Sequence, residues 1–111
     1  MNHSISVINT TVGSSDQAQK IAKRLVESQV AGCVQIDGPI QSVYRWEGKV
    51  CEEAEYRLSA KTVPNLVDTL MASLGTLHPY QTPELLVTSV ECSENYFRWL
   101  KDQVADQSNK E

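Results

Sequence analysis

The chain has too few cysteines, and too scattered, for chemistry that can be read from spacing alone. Cys33, Cys51 and Cys92 are an odd number with no CxxC pair, so neither a disulfide framework nor a zinc knuckle is encoded. A reducing, cytoplasmic setting is expected. No apolar run approaches the ~20 residues that span a bilayer, and the first residues lack the basic start and apolar stretch of a signal peptide. Positive charge is also short. Ten Lys and Arg stand against fourteen Asp and Glu, a net charge of -4, so neither nucleic acid nor an anionic membrane is an expected partner. No phosphate-cradling glycine loop and no nucleophile–base motif can be read, which points away from an enzyme. Repeats and low-complexity linkers are absent as well. What remains is an ordinary globular composition, 41% hydrophobic and 22% charged over 111 residues. That is one domain, expected to span residues 1–111 with a frayed tail from Asp106 to Glu111.

The pattern of apolar residues predicts the elements. Ser4 to Val12 is rich in β-branched residues and predicts a first strand. Ser14 followed by Gln17 is a capping-box signature. The helix it opens carries Ala18, Ile21, Ala22, Leu25 and Val26 on one stripe and is expected to end at Ala31-Gly32. Cys33 to Ile36 begins a second strand, and Asp37-Gly38-Pro39 implies a bulge or bend before Ile40 to Trp46 continues it. Glu47-Gly48 makes a two-residue turn into a third strand, Lys49 to Thr62. Pro64 opens a second helix with Leu66, Val67, Leu70, Met71 and Leu74 in helical period, closed by Gly75. Glu84 to Val90 predicts a fourth strand, apolar enough for burial on both faces. Ser93 caps a last helix bearing Tyr96, Phe97, Leu100 and Val104. The fold class is therefore α+β: a ferredoxin-like βαββαβ sandwich with a C-terminal helix, its helices on one sheet face.

The β2–β3 hairpin is too long for so small a domain. Val50 to Thr62 extended spans about 40 Å, whereas a compact chain of this length is roughly 34 Å across. An overhanging hairpin with aromatic residues needs a neighbour, so an oligomer is expected. Pairing across the turn sets Tyr44 against Cys51 and Trp46 against Lys49. Alternation then gathers Tyr44 and Trp46 with Cys51, Glu53, Glu55, Arg57, Ser59 and Lys61 on one face, either a solvated strand or a groove. Val50, Ala54, Tyr56, Leu58 and Ala60 fall on the other, expected to be core.

Three places could carry chemistry. In His78-Pro79-Tyr80-Gln81-Thr82-Pro83-Glu84, two prolines fix the backbone and hold His78, Tyr80 and Glu84 in set directions, suited to a metal or polar ligand or to a plain connector. Cys33 lies among apolar residues, either a small buried hydrophobe or a soft ligand for copper(I) or zinc. Met1-Asn2-His3 places an imidazole third from a terminal amine, either by chance or as a square-planar nitrogen set that suits Cu(II) or Ni(II) when the terminus is free. No closed metal site is encoded by spacing, so any such site must be assembled by the fold or between subunits.

Ala31-Gly32-Cys33-Val34-Gln35-Ile36, Tyr44-Arg45-Trp46-Glu47-Gly48-Lys49, Glu55, Lys61-Thr62, His78-Pro79-Tyr80-Gln81-Thr82-Pro83-Glu84 and Trp99-Leu100 together resemble the CutA divalent-ion tolerance proteins, in order from Val7 to Leu100. The resemblance implies a non-enzymatic, PII-like homotrimer whose long hairpins pair between subunits. It also implies a role in tolerance of copper and other divalent metal ions. Cys33, Trp46, Glu55, Lys61, His78, Tyr80 and Glu84 match family positions near an inter-subunit cleft, with Cys33 and His78 similar to proposed copper ligands. The sequence departs from the family where Thr10 stands for a cysteine of some bacterial members, Gly32 for alanine, and Gln81 for glutamate. Two functions follow as expectations: binding of Cu2+ or another divalent cation through His78, Cys33 and nearby carboxylates, or a PII-like signalling adaptor. The adaptor would bind a small anionic metabolite, with Lys61 as counter-charge and Trp46 or Tyr80 as wall.

Overall fold

The structure is a computed structural model that describes residues 3–105; the expected tail from Asp106 lies outside the described residues, as do Met1 and Asn2. Strand β1 (His3–Val12) is followed by α1 (Ser15–Glu27), the hairpin β2 (Cys33–Trp46) and β3 (Lys49–Thr62), α2 (Val67–Leu77), β4 (Leu86–Cys92) and α3 (Glu94–Gln103). The four strands form one antiparallel sheet in the order β2-β3-β1-β4. This is the expected α+β, ferredoxin-like arrangement. Helices α1 and α2 bury their stripes on one sheet face, where Ala18, Ile21, Leu25, Leu70 and Leu74 meet Ile8, Val12, Leu58 and Ala60.

Local signals explain most of the boundaries. The Ser14 hydroxyl accepts from the Gln17 amide and Ser93 from the Tyr96 amide, each satisfying a donor that the first helical turn leaves open. Glu47 and Gly48 both have positive φ (50° and 80°), the backbone of a two-residue turn that matches strand twist. Tyr44 pairs with Cys51 and Trp46 with Lys49, as alternation predicts. The register shifts between Asp37 and Ile40: the three-residue step from Asp37 to Ile40 faces the two-residue step from Arg57 to Glu55, a bulge. Gly38 at φ 149° makes it possible, since a Cβ there would lie 2.7 Å from Tyr56 Cδ2 and 2.9 Å from the Glu55 carbonyl oxygen.

Several boundaries differ from the sequence reading. Helix α1 stops at Glu27, capped by Ser28 with Gln29 at positive φ, short of Ala31-Gly32. Pro64 starts a 3-10 turn, Pro64–Leu66, rather than the α-helix itself. Gly75 lies inside α2, because its hydrogen-bond ladder continues until His78 donates to Leu74 O. Val104 falls just past α3. Strand β4 starts at Leu86 and is exposed on both faces, where burial was expected; Leu86 is 54% exposed. It is an edge strand in a single chain, and its side chains from Leu86 to Glu91 are exposed. Val50 and Ala54 are likewise exposed, because the hairpin runs beyond the helices that cover Leu58 and Ala60. The molecule measures 47 × 28 × 23 Å, the long axis reflecting that overhang.

Helix α3 departs from the expectation that every helix covers one face. Its Phe97 ring lies 5.1 Å from that of His3, and Tyr96 lies beneath the Lys61 ammonium at 5.8 Å. His3 and Lys61 both belong to the sheet face opposite α1, so α3 covers one end of that second face. A Cβ on Gly32 would lie 2.5 Å from Leu100 Cδ1, so α3 passes close to the backbone just before β2. Among the described residues no helix is long and apolar enough to cross a membrane.

Candidate functional site

Strand β4 pairs with β1 only as far as Asn9, opposite Leu86. The edge of β1 from Thr10 to Val12 is left for the 78–85 connector, which passes along it from the α2 side to the opposite sheet face. His78 anchors the passage. Its Nδ1 accepts from the Tyr80 backbone N–H at 3.1 Å, so in the neutral ring the proton sits on Nε2. That nitrogen donates to Thr11 O at 3.1 Å, with Thr10 Oγ1 also within reach at 2.9 Å. The ring is 8% exposed. Its pKa is lowered from the ordinary 6.5 because burial disfavours the cation, a pull that the Thr11 hydrogen bond and the Glu55 charge offset in part.

The connector and the hairpin enclose a cleft of about 640 Å³. One wall is aromatic, formed by Tyr44 and Trp46 from β2 and Tyr80 from the connector; the acidic groups are Glu53 and Glu55 from β3 and Glu84. The bulge at Gly38 makes this wall possible. It shifts β2 by one residue, so that even-numbered Ser42, Tyr44 and Trp46 share a face with odd-numbered Glu53 and Glu55.

At the bottom of the cleft Tyr80 Oη donates to Glu55 Oε2 at 2.7 Å. Glu55 is 9% exposed, and no ion pair among the described residues reaches it. Desolvation, then the bond to Glu55 and its charge, push the Tyr80 phenol far above its ordinary value, so it remains a donor. Partial desolvation and then the Glu53 carboxylate raise Tyr44 as well.

Of the residues singled out by sequence, Tyr44, Trp46, Glu55, Tyr80 and Glu84 come together in this cleft, and His78 supports it from behind. Cys33, Lys61 and His3 do not join them. Cys33 is paired with Lys61, six residues along β3 from Glu55 or roughly 20 Å, and both neighbour Tyr96. Burial first and then Cys33 beside it raise the Tyr96 phenol. His3 stacks on Phe97 opposite Cys92. Among the described residues, no three His, Cys, Asp or Glu side chains are grouped so as to hold a metal ion. Sequence reasoning missed Thr11 and Ser42 in the cleft lining. Parity along β1 and past the bulge could have found both.

Residues 6–103 match the family profile described as CutA1 divalent ion tolerance protein. The chain belongs to the CutA1 family. A divalent-cation tolerance protein CutA of Thermus thermophilus is 38% identical over 97 residues, covering 86% of this chain and 94% of the relative. The chain spans only 53% of the chloroplastic CutA of Arabidopsis thaliana, to which it is 35% identical. Among solved structures, CutA from Synechococcus elongatus superposes with a TM-score of 0.88 at 37% identity, covering 94% of this chain and 93% of that one. CutA1 from Oryza sativa gives 0.89 at 31% identity, with 95% and 97% covered. The cleft is thus a feature of a CutA1 fold, and the Thermus relative is named for divalent-cation tolerance.

Proposed function

We propose that this CutA1-family chain is a non-enzymatic, cytoplasmic homotrimer of divalent metal tolerance that binds Cu2+ or another divalent cation. The observation that carries the cation reading is the cleft, lined by Glu53, Glu55 and Glu84 and by no Lys or Arg. A lining of one sign focuses field lines and concentrates cations. The described residues of one chain do not gather a closed donor set, so the site is completed between subunits. Cys33 and His3 offer the soft and borderline donors, and the carboxylates the hard ones. His78 contributes as a ligand only by giving up the Tyr80 amide at Nδ1; otherwise it holds the connector in place.

The overhanging hairpin and the bare face of β4 support the trimer. Both expose apolar side chains that a single chain leaves in water. Titration calorimetry of the metal-free protein with Cu2+ and Zn2+ tests the reading. Saturable heats that weaken in Cys33→Ser support it, and their absence in the wild type removes it.

The aromatic wall favours a second reading, a PII-like adaptor holding a small metabolite between Trp46 and Tyr80. Lys61 stands away from that wall within one chain, so its role as counter-charge would have to come from a neighbouring subunit.

A further inference from the structure

Glu55 is the least exposed charged group of the described residues, at 9%, and it has no cationic partner. Its Oε2 accepts from Tyr80 Oη, and no described hydrogen bond engages Oε1. The remaining oxygen is open to a charged donor, and a hydrogen bond from a cation to a carboxylate is among the strong ones. The space in front of it is large. At about 640 Å³ the cleft falls among small-molecule sites, many times the volume of a bare ion. The acidic groups are also spread out rather than gathered into a metal-holding cluster. Facing them are the electron-rich rings of Tyr44, Trp46 and Tyr80, which attract a desolvated organic cation through their faces.

We propose that the cleft is a binding site for a small organic cation, an alkylammonium or guanidinium compound. Its charged head meets Glu55, and its carbon skeleton lies against Trp46 and Tyr44. Glu53 and Glu84 provide for a second positive group, so a diamine of a few carbons fits better than a monoamine. Tyr80 holds Glu55 by one oxygen and leaves the other for the ligand. This inference rests on the cleft being a small-molecule site, the second reading above, and it replaces the anionic metabolite by a cationic one.

The test uses the full-length oligomeric protein as it forms in solution. Calorimetry would be run with 1,4-diaminobutane, with the uncharged 1,4-butanediol of similar length, and with ATP as the anionic probe. In a Trp99→Phe background, Trp46 fluorescence reports occupancy of the cleft independently. The expected result is saturable binding of the diamine with a change in Trp46 emission, and at least tenfold weaker binding of the diol. Glu55→Gln keeps the shape and the Tyr80 bond, and should weaken the diamine at least tenfold while leaving the melting temperature and the oligomer in place. Glu91→Gln, on the outside of β4, should change nothing. Diamine affinity unaltered in Glu55→Gln, or a diol that binds as well as the diamine, overturns the inference. Binding of ATP and not of the diamine overturns the cation and leaves a metabolite site standing; no binding of any of the three removes both.

Discussion

At the scale of single residues, hydrogen-bond accounting around the cleft decides behaviour. His78 has one acceptor nitrogen, and the Tyr80 amide occupies it. Protonation would turn that nitrogen into a donor facing another donor. Burial lowers the folded-state pKa, so the stability held by neutral His78 is present above about pH 6.5 and is lost as pH falls below it. Melting temperatures at pH 7.5 and pH 5.5 should differ more in the wild type than in His78→Asn. Tyr80→Phe removes the Glu55 donor and leaves the carboxylate buried without a hydrogen bond, which should cost about 1–3 kcal/mol in thermal or denaturant unfolding. Thr62 is the opposite case. Its Oγ1 is the single buried side-chain polar atom without a partner among the described residues, so Thr62→Val should be neutral or stabilising by about 1 kcal/mol.

At the scale of elements, the bulge in β2 positions the site. Gly38→Ala puts a Cβ against the Tyr56 ring and the Glu55 carbonyl at a left-handed φ. It should destabilise by about 1–3 kcal/mol and lower the affinity of any cleft ligand, measured by unfolding and calorimetry on the same protein. Elements with a local cause were legible in the sequence: β1 from its β-branched residues, the caps at Ser14 and Ser93, the turn at Glu47-Gly48 and the bulge near Gly38. Elements whose fate depends on distant neighbours were not. The apolar run of β4 implied cover on both faces, but in a single chain its cover must come from elsewhere. Gly75 looked like a helix stop, yet α2 passes through it because a helix interior tolerates glycine at a modest cost of about 1 kcal/mol.

At the scale of the whole molecule, the exposed side chains of β4 and the hairpin call for company. Sedimentation should give about three times the 12.4 kDa of one chain, and Leu86→Lys should shift the distribution toward monomer. The cleft was half legible: alternation placed Tyr44, Trp46, Glu53 and Glu55 on one face, and the proline-bound connector marked Tyr80 and Glu84. It failed for Lys61, which shares that face but lies too far along the strand, and for Cys33 beside it. Side-chain direction can be read from parity, whereas position along a twisted, bulged hairpin cannot. The overhang that began as a question of size also acts as a lever. From Gly38 to Trp46 is about 26 Å of strand, so a rocking of ~10° about Gly38 would carry the indole by about 4.5 Å relative to Tyr80. The width of the cleft therefore follows the angle at which the hairpin stands on the core, and a neighbour that grips the hairpin tip would fix that angle.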